Sequence, residues 1–170
     1  SYGELNIPNL PAGLSYVEIA AGDAHTLARR SDGALIAVGR NVEGQCNVLP
    51  LPAGVSYVEV AAGGHHSLAR RSDGTIAAWG HNGNGQCVVP ALPPGLSYVR
   101  IAGGWAHSVA LLSDGSAVAW GGNWAGQCDV PSLPAGTLFV ELAPGYAHTV
   151  ARLSNDTIVS WGEQVNAPSP

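Results

Sequence analysis

The chain has no lysine and no methionine, a single phenylalanine, and charged residues at only 11% of its 170 positions. Apolar residues make up 46%, and a chain so apolar and so weakly charged is not intrinsically disordered. All seven basic residues are arginine, they cluster only as Arg29-Arg30 and Arg70-Arg71, and the net charge is −5. Two such pairs are too small a surface to track a phosphate backbone, so no nucleic-acid partner is expected. No apolar run approaches the ~18 residues of a helical bilayer span, so no membrane partner is expected either. Neither an initiator Met nor a signal peptide is visible. The chain reads as a processed product or an excised part of a longer one, with a secreted or processed origin favoured. Uninterrupted helix-forming windows are missing too, because 23 Gly and 12 Pro break every one.

What is present is a repeat. His25, His66, His107 and His148 are spaced 41 residues apart, and Cys46, Cys87 and Cys128 keep the same step. So do Asp32-Gly33, Asp73-Gly74 and Asp114-Gly115, and so do Gly39, Gly80, Gly121 and Gly162. A period near 40 fits propeller blades or helical arrays, and local pattern separates them. Tyr57 to Ala61 alternates and is rich in β-formers, His66 to Arg70 can form a second strand, and Thr75 to Trp79 a third. Asp73-Gly74 between the last two predicts a two-residue hairpin turn with positive φ at both positions. A Gly/Asn loop then leads to a short fourth strand at Gln86 to Val89, and Pro90 to Gly95 crosses to the next unit. The expectation is an all-β propeller of four-stranded blades over 14–54, 55–95, 96–136 and 137–170, with 1–13 as an N-terminal outer strand and crossover.

The tract Ala61-Ala62-Gly63-Gly64-His65-His66-Ser67-Leu68-Ala69, followed by Asp73-Gly74, Ala78-Trp79-Gly80, Asn82 and Gly85-Gln86, resembles the regulator of chromosome condensation repeat. It recurs with variations four times, and its short unit is most similar to compact bacterial members such as the propeller-type β-lactamase inhibitors. The resemblance implies a propeller that usually closes with seven blades, where four are counted here. The wedge of the eukaryotic exchange factor has no counterpart, so nucleotide exchange is not implied. The fourth unit departs from the others: Asn155-Asp156 replaces Asp-Gly, and Pro144 enters the glycine turn.

The recurrent residues are expected to be scaffold. His25, His66, His107 and His148 each follow a glycine turn, where an imidazole can bond backbone and lock neighbouring blades. No metal and no cofactor is expected. The cysteines form no C-x-x-C element, and Leu5 and Val165 fill the matching slots, so small buried hydrophobes are expected there. Trp79, Trp120 and Trp161, with Val38 in the first unit, suit packing between blades.

Function is expected where the units differ. The varied positions lie between glycine and histidine and in the loop after the third strand, and both should open on one face of the blade. By resemblance to the inhibitor's aromatic face, His65, Trp105, Trp124, Tyr146 and His81 are nominated as a binding surface. No paired carboxylates and no phosphate loop are seen, so no enzyme is expected. Asn155-Asp156-Thr157 matches a glycosylation sequon, with chance as the default.

Gly3 to Ile7 aligns with Gly44 to Val48 as an outer strand, and Gln164 to Pro168 resembles another, leaving one surplus. Four blades closing alone, a two-chain ring and an open polymer all remain, with self-association into a homo-oligomer favoured. The leading expectation is a protein-binding or scaffold propeller. The alternatives are a structural unit polymerising into a ring or fibre, and a lectin binding carbohydrate once per blade through Asn41, Asn82 and Asn123.

Overall fold

The computed structural model describes residues 3–163, and all its regular structure is strand. Four three-stranded antiparallel sheets follow in chain order. Blade one holds β1 (Tyr16–Ala21), β2 (His25–Arg30) and β3 (Leu35–Gly39); blade two holds β4 (Tyr57–Ala62), β5 (His66–Arg71) and β6 (Ile76–Gly80). Blade three holds β7 (Tyr98–Gly103), β8 (His107–Leu112) and β9 (Ala117–Gly121); blade four holds β10 (Phe139–Pro144), β11 (His148–Leu153) and β12 (Ile158–Gly162).

Every blade carries the same irregularity. The register shifts between Tyr16 and Glu18, and again at Tyr57/Glu59, Tyr98/Arg100 and Phe139/Glu141. One extra residue on the first strand reverses the alternation of faces. Tyr57 and Val60, three apart, therefore point the same way and share one core cluster with Leu27 of the preceding blade. Tyr98 and Ile101 do the same against Leu68 and Ile76. The core is thus a series of seams between blades, each closed by its crossover. Leu49 and Leu51 pack into the first, and Leu92 and Leu96 into the second.

Two expectations need correction. Among the described residues each blade has three strands, not four. Gln86 to Val89 forms turns, because its backbone is bonded locally: Cys87 N–H donates to Asn82 Oδ1 (2.9 Å) and Val88 N–H to Gly85 O (2.9 Å). A ladder would need those same donors. Gly3 to Ile7 turns in the same way, with Asn6 N–H on Gly3 O at 2.9 Å. The tail strand expected at Gln164 to Pro168 lies outside the described residues. The Asp-Gly hairpins also differ. Gly74 takes φ +82, but Asp73 does not have a positive φ. Gly74 N–H bonds Arg71 O and Arg71 N–H bonds Thr75 O, which makes a three-residue loop with glycine as its left-handed third member. In blade four Asp156 holds that conformation, at φ 64.

Candidate functional site

The recurrent histidines are the polar centre of each seam. His25 Nε2 lies 3.0 Å from Ser67 Oγ, His66 Nε2 2.9 Å from Ser108 Oγ, and His107 Nε2 3.0 Å from Thr149 Oγ1. Each hydroxyl donates onward to a backbone carbonyl: Gln45 O (2.8 Å), Gln86 O (2.9 Å) and Gln127 O (3.2 Å). A hydroxyl has one proton. With that proton on the carbonyl, the imidazole must be the donor, protonated on Nε2. The same carbonyls accept from Trp79, Trp120 and Trp161 Nε1 at 2.9, 2.9 and 3.0 Å. Burial, followed by neighbouring imidazoles, lowers the pKa of His25 to about 4, of His66 to about 3 and of His107 to about 4. These rings stay uncharged at neutral pH.

Close glycine contacts make the arrangement possible. A Cβ on Gly63 would fall 2.0 Å from His66 Cε1, and one on Gly80 would fall 2.8 Å from His65 O. Gln45, Gln86 and Gln127 are fully buried at the hub of these bonds. Sequence reasoning passed over them, although they keep the 41-residue step.

The turns between first and second strands meet at one end of the molecule. Ala21–Asp23, Ala62–Gly64, Gly103–Trp105 and Pro144–Tyr146 line one shallow depression. Their backbones bond in series: Asp23 N–H to Gly64 O, Gly64 N–H to Gly104 O and Trp105 N–H to Gly145 O, at 3.2, 3.2 and 3.0 Å. On this base the nominated aromatics gather. Trp105 stacks on Tyr146 at 4.5 Å and 27°, and it meets Trp124 edge-on at 6.1 Å and His65 at 6.3 Å. Trp124 is 53% exposed and Tyr146 57%. The turn and the loop after the third strand therefore do share a face.

His81 is tied to the cluster through its backbone, whose N–H donates to His65 O at 2.9 Å, while its ring Nδ1 accepts from Gln86 Nε2 at 2.8 Å. Two unnominated residues join the face. Asp23 Oδ2 accepts from Trp105 Nε1 at 3.2 Å across two blades, and Arg40 Nη1 lies 3.5 Å from both ring nitrogens of His65. No linear signal links Asp23 to a tryptophan 82 residues away.

The cysteines are free and half-buried, and each thiol donates to a loop carbonyl, as Cys87 does to His81 O at 3.4 Å. Burial pushes the Cys87 and Cys128 thiols up to about 11. Asn41, Asn82 and Asn123 accept from the backbone of those cysteines, capping the loop. Among the described residues no group of three or more His, Cys, Asp or Glu is placed to hold a metal ion.

No curated relative matches the chain in sequence. Solved structures do match. Prp20p of Saccharomyces cerevisiae, described with its binding to Gsp1p and histones, superposes at TM-score 0.75 and 25% identity over 90% of this chain and 44% of its own. Human WBSCR16 gives TM-score 0.77 at 18% identity, over 94% of this chain and 52% of its own. The ectodomain of the Physcomitrella patens receptor kinase CR4 gives 0.70 at 23%, over 92% and 43%. The chain thus spans about half the length of each. The family model for the regulator of chromosome condensation (RCC1) repeat matches residues 16–45, 57–86 and 98–127, one stretch in each of the first three blades and together more than half of the chain. The chain belongs to the regulator of chromosome condensation repeat family.

Proposed function

We propose that this propeller is a non-catalytic protein-binding scaffold whose binding surface is the aromatic face built on Trp105. The observation that carries the proposal is the stack of Trp105 on Tyr146, flanked by Trp124 and His65, on turns that hydrogen bonds fix to one another. Large, stiff aromatics presented on a rigid base are what hot spots are made of. Prp20p, with the same fold, is described as binding Gsp1p and histones. His81 belongs at most to the rim, since Gln86 holds its ring. A lectin is less favoured, because the recurrent asparagines are occupied in capping their loops.

The test is Trp105→Ala combined with Trp124→Ala. Cross-linking and capture by the wild-type chain are compared with the double variant, with far-UV circular dichroism verifying the fold. Loss of the captured partner supports the surface, and unchanged capture removes it. A glycan array with strong hits would favour carbohydrate instead.

Self-association is the second part of the proposal. Apolar side chains stand uncovered on the two outermost sheet faces: Ile19 is 70% exposed on blade one and Ile158 61% on blade four. Neither position is uncovered at an internal seam, where Val60 and Ile76 are buried.

A further inference from the structure

Each seam joins two unlike faces. The forward face of a blade carries Leu68 and Ile76 in blade two, and the backward face of the next carries Tyr98 and Ile101 in blade three. The polar lock has the same direction. The earlier blade supplies the imidazole and the later one the hydroxyl, in all three seams.

Among the described residues, four blades with three seams leave one backward face and one forward face unmatched. On blade one, Ile19 stands at the position where Val60 and Ile101 are buried, and half-buried Thr26 stands at the position of Ser67, Ser108 and Thr149. On blade four, Ile158 stands at the position of Ile76, and half-buried His148 stands where His25, His66 and His107 stand. Among the described residues Thr26 has no imidazole and His148 no hydroxyl to complete the lock.

Blade one already wears its crossover. Tyr16 Oη donates to Pro8 O at 2.8 Å, as Tyr57 Oη does to Leu49 O and Tyr98 Oη to Pro90 O. Gly3 and Gly44 share a φ of 79° at the start of the two segments. The backward face of blade one is therefore prepared as the internal backward faces are.

We propose that these two faces are the halves of one more seam, made between chains. Blade four of one copy receives blade one of a second copy, with His148 donating to Thr26 and Ile158 joining the cluster around Ile19. The occupant is a second copy because this pairing of apolar positions with an imidazole and a hydroxyl already occurs three times inside the chain. This inference rests on the self-association proposed above and adds direction and register to it. Each copy carries one half of each kind, so two copies mate twice and close an eight-blade ring.

The experiment is sedimentation velocity on the purified chain, on Ile19→Asp, on Ile158→Asp, and on an equimolar mixture of the two variants. Both side chains are exposed, so neither change disturbs the monomer core, and circular dichroism verifies this. The wild type is expected at twice 17.3 kDa. Each variant alone is expected to be monomeric. The mixture is expected to recover a dimer, because Ile19→Asp keeps an intact forward face and Ile158→Asp an intact backward one. Thr26→Val is expected to weaken the dimer roughly tenfold, about 1.4 kcal/mol, and Thr26→Ser to leave it unchanged.

A variant that still dimerises by itself overturns the direction while leaving self-association standing. Wild-type assemblies longer than dimers, suppressed by the same variants, overturn the closed ring. A wild type that stays monomeric up to about 1 mM, the weak end of specific affinity, overturns both this inference and the self-association it rests on.

Discussion

His66 donates from Nε2 to Ser108 Oγ across 2.9 Å, joining residues 42 apart in sequence and one blade apart in space. Ser108 passes its own proton to Gln86 O. Removing the hydroxyl therefore orphans a buried N–H and a buried carbonyl lone pair together. Ser108→Ala is expected to destabilise the chain by about 1–3 kcal/mol. Ser108→Thr is expected to be tolerated, since Thr149 fills the same place in blade four. Urea denaturation of both variants checks this, and equal losses would refute it.

Acid should loosen the seams. The folded pKa values of His25, His66 and His107 lie below the usual 6.5, at about 4, 3 and 4. Between those values and 6.5 the unfolded chain binds more protons than the folded one. The stabilisation is therefore whole above pH 6.5 and lost as pH falls through about 4, to about 3 for His66. Melting temperature measured from pH 8 to pH 3.5 should fall steeply below pH 6. A flat profile across that window would contradict the neutral, buried rings.

Two tryptophans four residues apart should behave oppositely. Trp120 is buried and donates to Gln86 O, whereas Trp124 is half in solvent on the aromatic face. Trp120→Ala is expected to lose about 3–5 kcal/mol of stability. Trp124→Ala should change stability by no more than about 0.5 kcal/mol while reducing partner capture. Chemical denaturation beside a capture assay separates the two effects.

The thiols should be sluggish. With Cys87 and Cys128 held at about 11 by burial, few thiolates exist at pH 8. Labelling by a chromogenic disulfide reagent is expected to be slow in the folded chain and fast in urea. Rapid native labelling at pH 7 would show the thiols to be more open than their contacts imply.

Glycines of like φ should differ in tolerance. Gly54 has φ +77 with nothing within 4 Å of an added Cβ, while Gly80, at φ +101, has His65 O at 2.8 Å and Gln45 Cα at 3.1 Å. Gly54→Asn is expected to cost under about 1 kcal/mol, because asparagine accepts the left-handed region. Gly80→Asn should prevent cooperative folding, which thermal melts of both variants would reveal.

The blade count and the face shared by the variable turns were legible because the repeat displays them four times over. Glycine and histidine at one step mark a turn and the strand it opens, whatever the surroundings. The missing fourth strand was not legible. Gln86 to Val89 has strand-like composition, and only the capture of Cys87 N–H by Asn82 shows that the ladder donors are taken. Asp73-Gly74 fits two turn types equally well, and the choice depends on the register of β5 and β6. His81 looked like a loop aromatic, but it is drawn to Gln86, whose burial is a tertiary fact. Asp23 meets Trp105 only because three consecutive blades bring their turns to one end of the molecule.

The lock between blades has a consequence for how such a chain changes length. Its imidazole and its hydroxyl are adjacent in sequence, as His66-Ser67, yet they serve opposite seams. Any 41-residue unit therefore carries half of the seam before it and half of the seam after it. Duplicating a unit, or excising one, rejoins matching halves and leaves no unpaired group behind. Blade number is thus a quantity that recombination can adjust in whole steps while keeping the polar lock at each junction.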